Sequence, residues 1–251
     1  MKILRFRWQE KDWWGRLSGD RVLPLPGITD SGELPAEGLP LTEVRLLAPT
    51  VPTKIVAVGL NYRDHAEELG MALPEEPLIF LKPPSAVVGP EDRILLPPGV
   101  GRVDYEAELA VIIGKTARRV SPEKAREYIL GYTCFNDVTA RDLQKKDGQW
   151  TRAKSFDTFA PIGPWIETEL DPDRVRVRAY LNGKVVQDSS TENLLFSVSR
   201  LVSFVSHIMT LYPGDVIATG TPPGVGPLSP GDVVEIEVEG IGRLVNFVVA
   251  G

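Results

Sequence analysis

The chain has 251 residues, 43% hydrophobic and 25% charged, with a formal net charge of −6 and a pI near 5.2. That length suits one large domain, or one domain with a small companion, and the acidic balance argues against a nucleic-acid binder, which carries a basic face. A lone cysteine, Cys134, excludes an intrachain disulfide, and no stretch reaches the roughly eighteen apolar residues of a membrane span.

The first element expected is a strand over residues 2–8, where apolar and charged residues alternate. Residues 23–27 and 34–40 are rich in proline and glycine and favour turns and extended chain. Together these predict a small β-rich N-terminal domain over residues 1–50, with its linker near 45–52. The remainder, 51–251, reads as the main domain. There, residues 54–60 form a short apolar run expected to be a buried strand. A helix over 62–71 follows, with Asn61 as its N-cap and Gly70 near its end. Strands are expected at 78–81, 93–96 and 105–113, and a helix at 122–130 with Ser121 as cap and Pro122 at its first position.

Asn182-Gly183 between the alternating runs 175–181 and 184–187 predicts a hairpin. A helix is expected over 193–209, then strands at 215–218, 233–238 and 244–249. Many strands and few helices make the class α+β. Nothing at the start resembles a secretory leader, so the cytoplasm is the expected location.

Several chemistries are absent. Two histidines, His65 and His207, do not make a multi-histidine zinc site, and a single cysteine makes no zinc knot. Neither a nucleophile elbow nor a phosphate-binding P-loop occurs. Carboxylates remain. Glu106 and Glu108 lie two apart in the apolar run 103–114, so a strand puts both on one face. Adjacent carboxylates repel unless a cation lies between them or one is protonated, and oxygen-only ligation suits Mg²⁺, Mn²⁺ or Ca²⁺. A solvent-facing edge with alternating charges is the plainer reading of that spacing. Asp137, where an apolar lead-in meets a polar cluster, is a candidate third ligand, or else a helix cap or a partner of Arg141.

His65 and Glu68, three apart on the expected helix, share a face; a carboxylate that orients an imidazole is what a general base needs. An ordinary charged helix surface fits them too. Lys154, among aromatic residues, can meet a carboxylate or a developing oxyanion, or run along the surface. Residues 220–226 form a tight loop able to present N–H groups to an anion, or a plain turn. Cys134 and His207 read as structural.

Five stretches taken in order carry more. Val58-Gly-Leu-Asn-Tyr-Arg-Asp-His65, Asp104-Tyr-Glu-Ala-Glu108, Phe135-Asn-Asp-Val-Thr-Ala-Arg-Asp142, Ala153-Lys-Ser-Phe-Asp157 and residues 213–226 resemble the fumarylacetoacetate hydrolase family. The resemblance implies a mixed β-sandwich roll, often preceded by a small N-terminal domain, and a homodimer. It implies that Glu106, Glu108 and Asp137 hold Mg²⁺ (or Mn²⁺), that His65 and Glu68 form a base pair on a lid helix, and that Lys154 and Gln144 lie near the reacting carbon. Arg141 and Thr221 match positions that contact substrate.

The implied substrate is a small 2-oxo acid. Family members acting on fumarylacetoacetate itself carry a further carboxylate seven residues before the histidine; here that position is Val58. The chain looks more like the branch that isomerises 2-hydroxyhepta-2,4-diene-1,7-dioate, or decarboxylates its precursor, in aromatic-compound breakdown. An acylpyruvate or fumarylpyruvate hydrolase, an oxaloacetate decarboxylase and a non-catalytic binder of small anions are the alternatives.

Overall fold

The computed structural model describes residues 1–25, 35, 37–70 and 72–251, with every side chain among them except that of Leu69. Parts of the expected turn segments (26–27, 34 and 36), and Met71 at the end of the expected helix, lie outside the described residues.

Strands dominate, and among the described residues they form three sheets. The centre of the twelve-stranded sheet is Ala107–Ile113, flanked antiparallel by Ile129–Asn136 and Val216–Ala218. Val216–Ala218 pairs in parallel with Ile55–Gly59, and Leu78–Lys82 closes that edge. All seven residues of Ala107–Ile113 are buried. A strand covered on both faces reads as a continuous apolar run rather than an alternating one.

The five-stranded sheet covers one face. Leu109, Val111 and Cys134 join Val177, Val234, Ile236 and Leu244 there in one core. On the opposite face Ala110 and Ile112 join Ile55, Ala57, Ile162 and Val216. Alternate residues of the central strand therefore serve two separate cores. This is the β-rich mixed sandwich expected of the sequence. Cys134 is a buried structural thiol, its Sγ 3.4 Å from the Gly242 carbonyl oxygen and its pKa pushed up by burial to about 12.

The N-terminal piece is β-rich and has its own small core of Leu4, Phe6, Trp13, Val22 and Leu39. Its first strand, Lys2–Trp8, also pairs with Ala160–Glu167, so the large sheet runs on into it. Residues 45–47 are not a free linker: Arg45–Leu47 is a strand bonded to Lys2–Trp8.

The hairpin at Asn182-Gly183 forms as expected, with φ of 52° and 77°. These are the two positive φ values of the turn that matches strand twist.

Four α-helices are described: α1 (Arg63–Leu69), α2 (Arg141–Asp147), α3 (Thr151–Lys154) and α4 (Val198–Ile208). Three boundary expectations are corrected. Asn61 does not cap α1, because its side chain is spent elsewhere: Nδ2 donates to the Thr219 and Phe196 carbonyls at 2.7 and 3.2 Å, and Oδ1 accepts from Phe196 N–H at 2.9 Å. Gly70 does end α1, in the left-handed conformation with φ 61°. The helix expected at 122–130 is a 3₁₀ segment, Pro122–Tyr128, and Ser121 makes no capping bond to it. Only Ala125 of it is buried, too narrow an apolar stripe to hold an α-helix against the core. The last helix starts at Val198 rather than 193, where the Ser197 side chain accepts from Arg200 N–H.

Candidate active site

The strand expected over 105–113 is interrupted at Glu106. Val103–Tyr105 belongs to the three-stranded sheet and Ala107–Ile113 to the large one. At the break the Glu106 N–H donates to Asn136 Oδ1 at 2.9 Å, while its carbonyl accepts from Asp137 N–H at 2.9 Å. Asp137 occupies the matching break beside it, between Ile129–Asn136 and Thr139–Ala140. The loop after Val216–Ala218 crosses the same seam to reach Gly226–Pro227. Three adjacent strands thus leave one sheet and join another at one level. Polar side chains gather where the ladder is interrupted.

Glu106, Glu108 and Asp137 meet at this seam. They are 5%, 1% and 1% exposed, and one carboxylate oxygen from each lies within 4.8 Å of the others. Glu106 and Glu108 share a face, as their spacing predicts. Cations hold the cluster together. Lys154 Nζ donates to Glu106 Oε2 at 2.9 Å and Asp137 Oδ2 at 2.7 Å. Arg141 pairs with Glu106 Oε1, and its Nε donates to Asp104 Oδ2 at 2.8 Å.

Burial alone would raise the Glu106 carboxyl, but Lys154 and Arg141 outweigh it and hold the pKa at about 2. Glu108 goes the other way. Burial, then the Asp137 and Glu106 charges, push it well above the usual carboxylate range, and a 2.8 Å bond from Gly220 N–H only partly opposes them. That bond needs close backbone approach: Gly220 has φ 102°, and a Cβ there would meet Asn61 Cβ at 2.8 Å.

Sequence reasoning missed Lys82. It ends the edge strand Leu78–Lys82, is 1% exposed, and its Nζ donates to Asp137 Oδ1 at 2.5 Å and to the Val138 carbonyl at 3.1 Å. Burial pulls its pKa down, with Asp137 opposing. The available signal was a single lysine closing an apolar run before Pro83-Pro84.

The other candidates surround a cavity of about 370 Å³ lined by the three carboxylates together with His65, Arg141, Gln144, Lys154 and Thr221. His65, 8% exposed, hangs from α1 with Nδ1 3.0 Å from Glu68 Oε2. The carboxylate can only accept, so Nδ1 carries a hydrogen, which in the neutral imidazole leaves the Nε2 lone pair open. Glu68 Oε1 also accepts from Gly224 N–H at 3.3 Å, which ties α1 to the 220–226 loop.

Gln144 Oε1 accepts from Arg141 NH1 at 2.9 Å. Thr221 lines the cavity, but its hydroxyl donates to the Ala107 carbonyl and accepts from Gln187 Nε2, both at 2.9 Å. Lys154 lies 4.9 Å from the centre of the Phe80 ring. His207, on the exposed side of α4 with Nδ1 2.9 Å from the Ser203 carbonyl oxygen, takes no part.

The donor set suits Mg²⁺ or Mn²⁺. It is oxygen-only, two of its oxygens already converge on a cation in Lys154 Nζ, and Glu108 is strained for want of more positive charge.

Fold and site together define a β-sandwich protein with a buried all-carboxylate centre beneath a histidine-bearing helix. The chain belongs to the fumarylacetoacetate hydrolase family: residues 54–249 match the model of the fumarylacetoacetate (FAA) hydrolase C-terminal region. Residues 1–49 match an Rv2993c-like N-terminal model.

Among solved structures, the 5-carboxymethyl-2-hydroxymuconate delta-isomerase of Mycobacterium smegmatis superposes with a TM-score of 0.92 at 49% identity, covering 100% of this chain and 99% of that one. The 2-hydroxyhepta-2,4-diene-1,7-dioate isomerase of Mycobacterium marinum gives 0.90 at 42% identity, covering 100% and 98%. A maleylpyruvate hydrolase of Sphingobium, solved with manganese (II) and pyruvate, gives 0.84 at 33% identity, covering 100% of both chains. A mitochondrial oxaloacetate tautomerase of Bos taurus is 45% identical, over 92% of this chain and 77% of its own length.

Proposed function

We propose that this protein is a Mg²⁺- or Mn²⁺-dependent isomerase of an unsaturated 2-oxo dicarboxylate, with 2-hydroxyhepta-2,4-diene-1,7-dioate as its best substrate, and that Glu106, Glu108 and Asp137 are the metal ligands. One observation carries the dicarboxylate reading. The cavity is lined by the three carboxylates, by the apolar side chains of Leu60, Leu78, Phe80 and Trp150, and by Lys145. Lys145 makes no hydrogen bond or ion pair among the described residues, and it also lines an adjoining vestibule with Arg102 and Arg141. A chain with charge at both ends and an unsaturated middle matches that combination of carboxylate, apolar and cationic lining.

A bound cation would supply Lewis-acid polarisation of the 2-oxo group. Lys154 faces the same oxygen and stabilises the negative charge that builds there. His65 Nε2 takes the proton of the 2-hydroxyl and returns one to C5, so that a 2-hydroxy-2,4-diene becomes a 2-oxo-3-ene. Glu68 holds the imidazole in the tautomer that allows this. α1 and the apolar wall keep bulk water away.

A second reading is oxaloacetate tautomerisation, favoured by the Bos taurus relative. It asks the same residues to move a proton between the C2 oxygen and C3. The matches of residues 1–49 and 54–249 to separate family models support a small N-terminal domain ahead of the catalytic one; we propose that division, and a homodimer in the cytoplasm.

The test is turnover of a panel with added Mg²⁺ and with chelator: 2-hydroxyhepta-2,4-diene-1,7-dioate, enol oxaloacetate, an acylpyruvate and fumarylpyruvate. Fastest rearrangement of the dienedioate, stopped by chelator, supports the first reading. Fastest conversion of oxaloacetate or cleavage of an acylpyruvate moves the assignment elsewhere in the family, and full activity in chelator removes the metal.

A further inference from the structure

The vestibule that adjoins the main cavity has a volume of about 400 Å³, and His65, Arg141, Gln144 and Lys145 line both spaces. Arg102, Asp104 and Asp142 line the vestibule alone. Its polar groups differ in how far the protein itself uses them. Arg141 is spent on Asp104, Glu106 and Gln144. Asp104, fully buried, also holds Arg102 in a fork: Nε donates to Oδ1 at 2.7 Å and Nη2 to Oδ2 at 3.0 Å. One carboxylate thus faces two guanidiniums. Asp142 is the opposing charge, and its Oδ2 accepts from the Arg102 backbone N–H at 3.1 Å. Two donors are left over. Arg102 Nη1 makes no hydrogen bond among the described residues, and neither does Lys145 Nζ. The Arg102 side chain is 51% exposed and Lys145 is exposed, so both can meet a solute.

We propose, resting on the isomerase reading of the main cavity, that the vestibule is a subsite for the substrate carboxylate remote from the 2-oxo group. Arg102 Nη1 and Lys145 Nζ hold that carboxylate, and they make the enzyme select dicarboxylates over monocarboxylates with the same reacting atoms. The two cations do different work. Two bonds to a buried carboxylate fix the plane of the Arg102 guanidinium, so Nη1 is in place before a ligand arrives and little ordering remains to be done on binding. Lys145 is a point charge on a flexible stem and can follow the anion. None of Glu106, Glu108, Asp137 and Lys154 lines the vestibule, so a carboxylate held there does not compete for the centre. A substrate spanning both spaces lies along the residues they share, His65 among them, which brings the proposed proton carrier beside the chain.

Two dienols test this, 2-hydroxyhepta-2,4-diene-1,7-dioate and 2-hydroxyhexa-2,4-dienoate, which keeps the reacting atoms and lacks the remote carboxylate. Both are assayed with Mg²⁺ in the wild type, Lys145→Met, Lys145→Arg and Arg102→Met. The wild type is expected to favour the dienedioate in kcat/KM. Lys145→Met should cut that preference about tenfold or more, the scale of one hydrogen bond to a charged group, through the KM of the dienedioate, and Lys145→Arg should keep it. Arg102→Met also loosens Asp104 and, through it, Arg141. That slows both substrates alike, so the preference between them is the quantity read, and it should fall as in Lys145→Met. A preference unchanged in either Met variant overturns the two-residue subsite while leaving the isomerase reading intact. A wild type that isomerises neither dienol overturns that reading and the subsite with it. Should Arg102→Met not fold, Lys145→Met decides, since an exposed lysine without partners can be replaced without strain on the fold.

Discussion

The carboxylate centre and helix α1 line the same cavity and are held by different means. Glu108 projects from a buried strand, and Glu106 and Asp137 from the strand breaks at the sheet seam, each held by at least one bond to a neighbour. His65 reaches the same cavity from a seven-residue helix, which is too short to be stable alone. Its attachments are few: Asn61 at its start, Asp64 Oδ2 accepting from Ser189 Oγ and Asn193 Nδ2 at 2.5 and 3.2 Å, and Glu68 on Gly224 N–H. The Glu68 side chain is 44% exposed. The proposed ligands sit at the sheet seam, and the group proposed to carry a proton sits on a short element with separate attachments.

Substitutions on the two sides should therefore fail differently. Glu106→Ala should abolish divalent-ion binding and turnover. It also removes one of two carboxylates from Lys154 and from Arg141, which Asp137 and Asp104 still hold, so the cost in stability should stay below the roughly 3–5 kcal/mol of a fully unpaired buried charge. Calorimetry and thermal melting check both, and ion binding retained at wild-type affinity would remove Glu106 from the centre. His65→Ala should leave ion affinity unchanged and slow turnover by roughly 10²–10⁴-fold; a normal rate would take the histidine out of the mechanism.

A smaller, graded effect sharpens the contrast through pH. Glu108 is held well above the usual carboxylate range in the metal-free protein, while a cation needs it ionised. Ion affinity should rise as pH rises toward its elevated pKa and level off above it. Titration in buffers of different ionisation enthalpy would read the released proton, and affinity flat across that range would contradict the strained Glu108. The smallest effect is expected at the end of α1. At Gly70 a Cβ meets nothing within 4 Å, so Gly70→Ala should cost only the left-handed conformation at φ 61°, about 1 kcal/mol. Hydrogen exchange should quicken in α1 alone, with ion affinity unmoved; a loss of ion binding would show that the two sides are not separate.

Local spacing made two pairings legible, and the ordered motifs of the family resemblance, not spacing, gathered the candidates into one set. Glu106 and Glu108, two apart in extended chain, and His65 and Glu68, three apart on a helix, were expected to share a face, and they do. The break at Glu106 was not legible: nothing in residues 103–114 signals a change of sheet, which depends on where Thr139–Ala140 and Gly226–Pro227 end up. Lys82 was missed because its partner lies 55 positions away, and a lone lysine after an apolar run gives no hint of a buried acid. The cap assigned to Asn61 failed for the same reason, since its partners are Phe196 and Thr219.

By itself the sequence determined the class, the strand-rich order, the Asn182-Gly183 hairpin and the family, because period-two alternation, turn chemistry and ordered motifs act over a few residues. Only the tertiary structure decided which neighbour each carboxylate oxygen meets, which cations balance the cluster, and that three strands change sheet at one level. Those outcomes depend on contacts between residues far apart in the chain, where burial removes water and a single long-range ion pair settles the charge of the site.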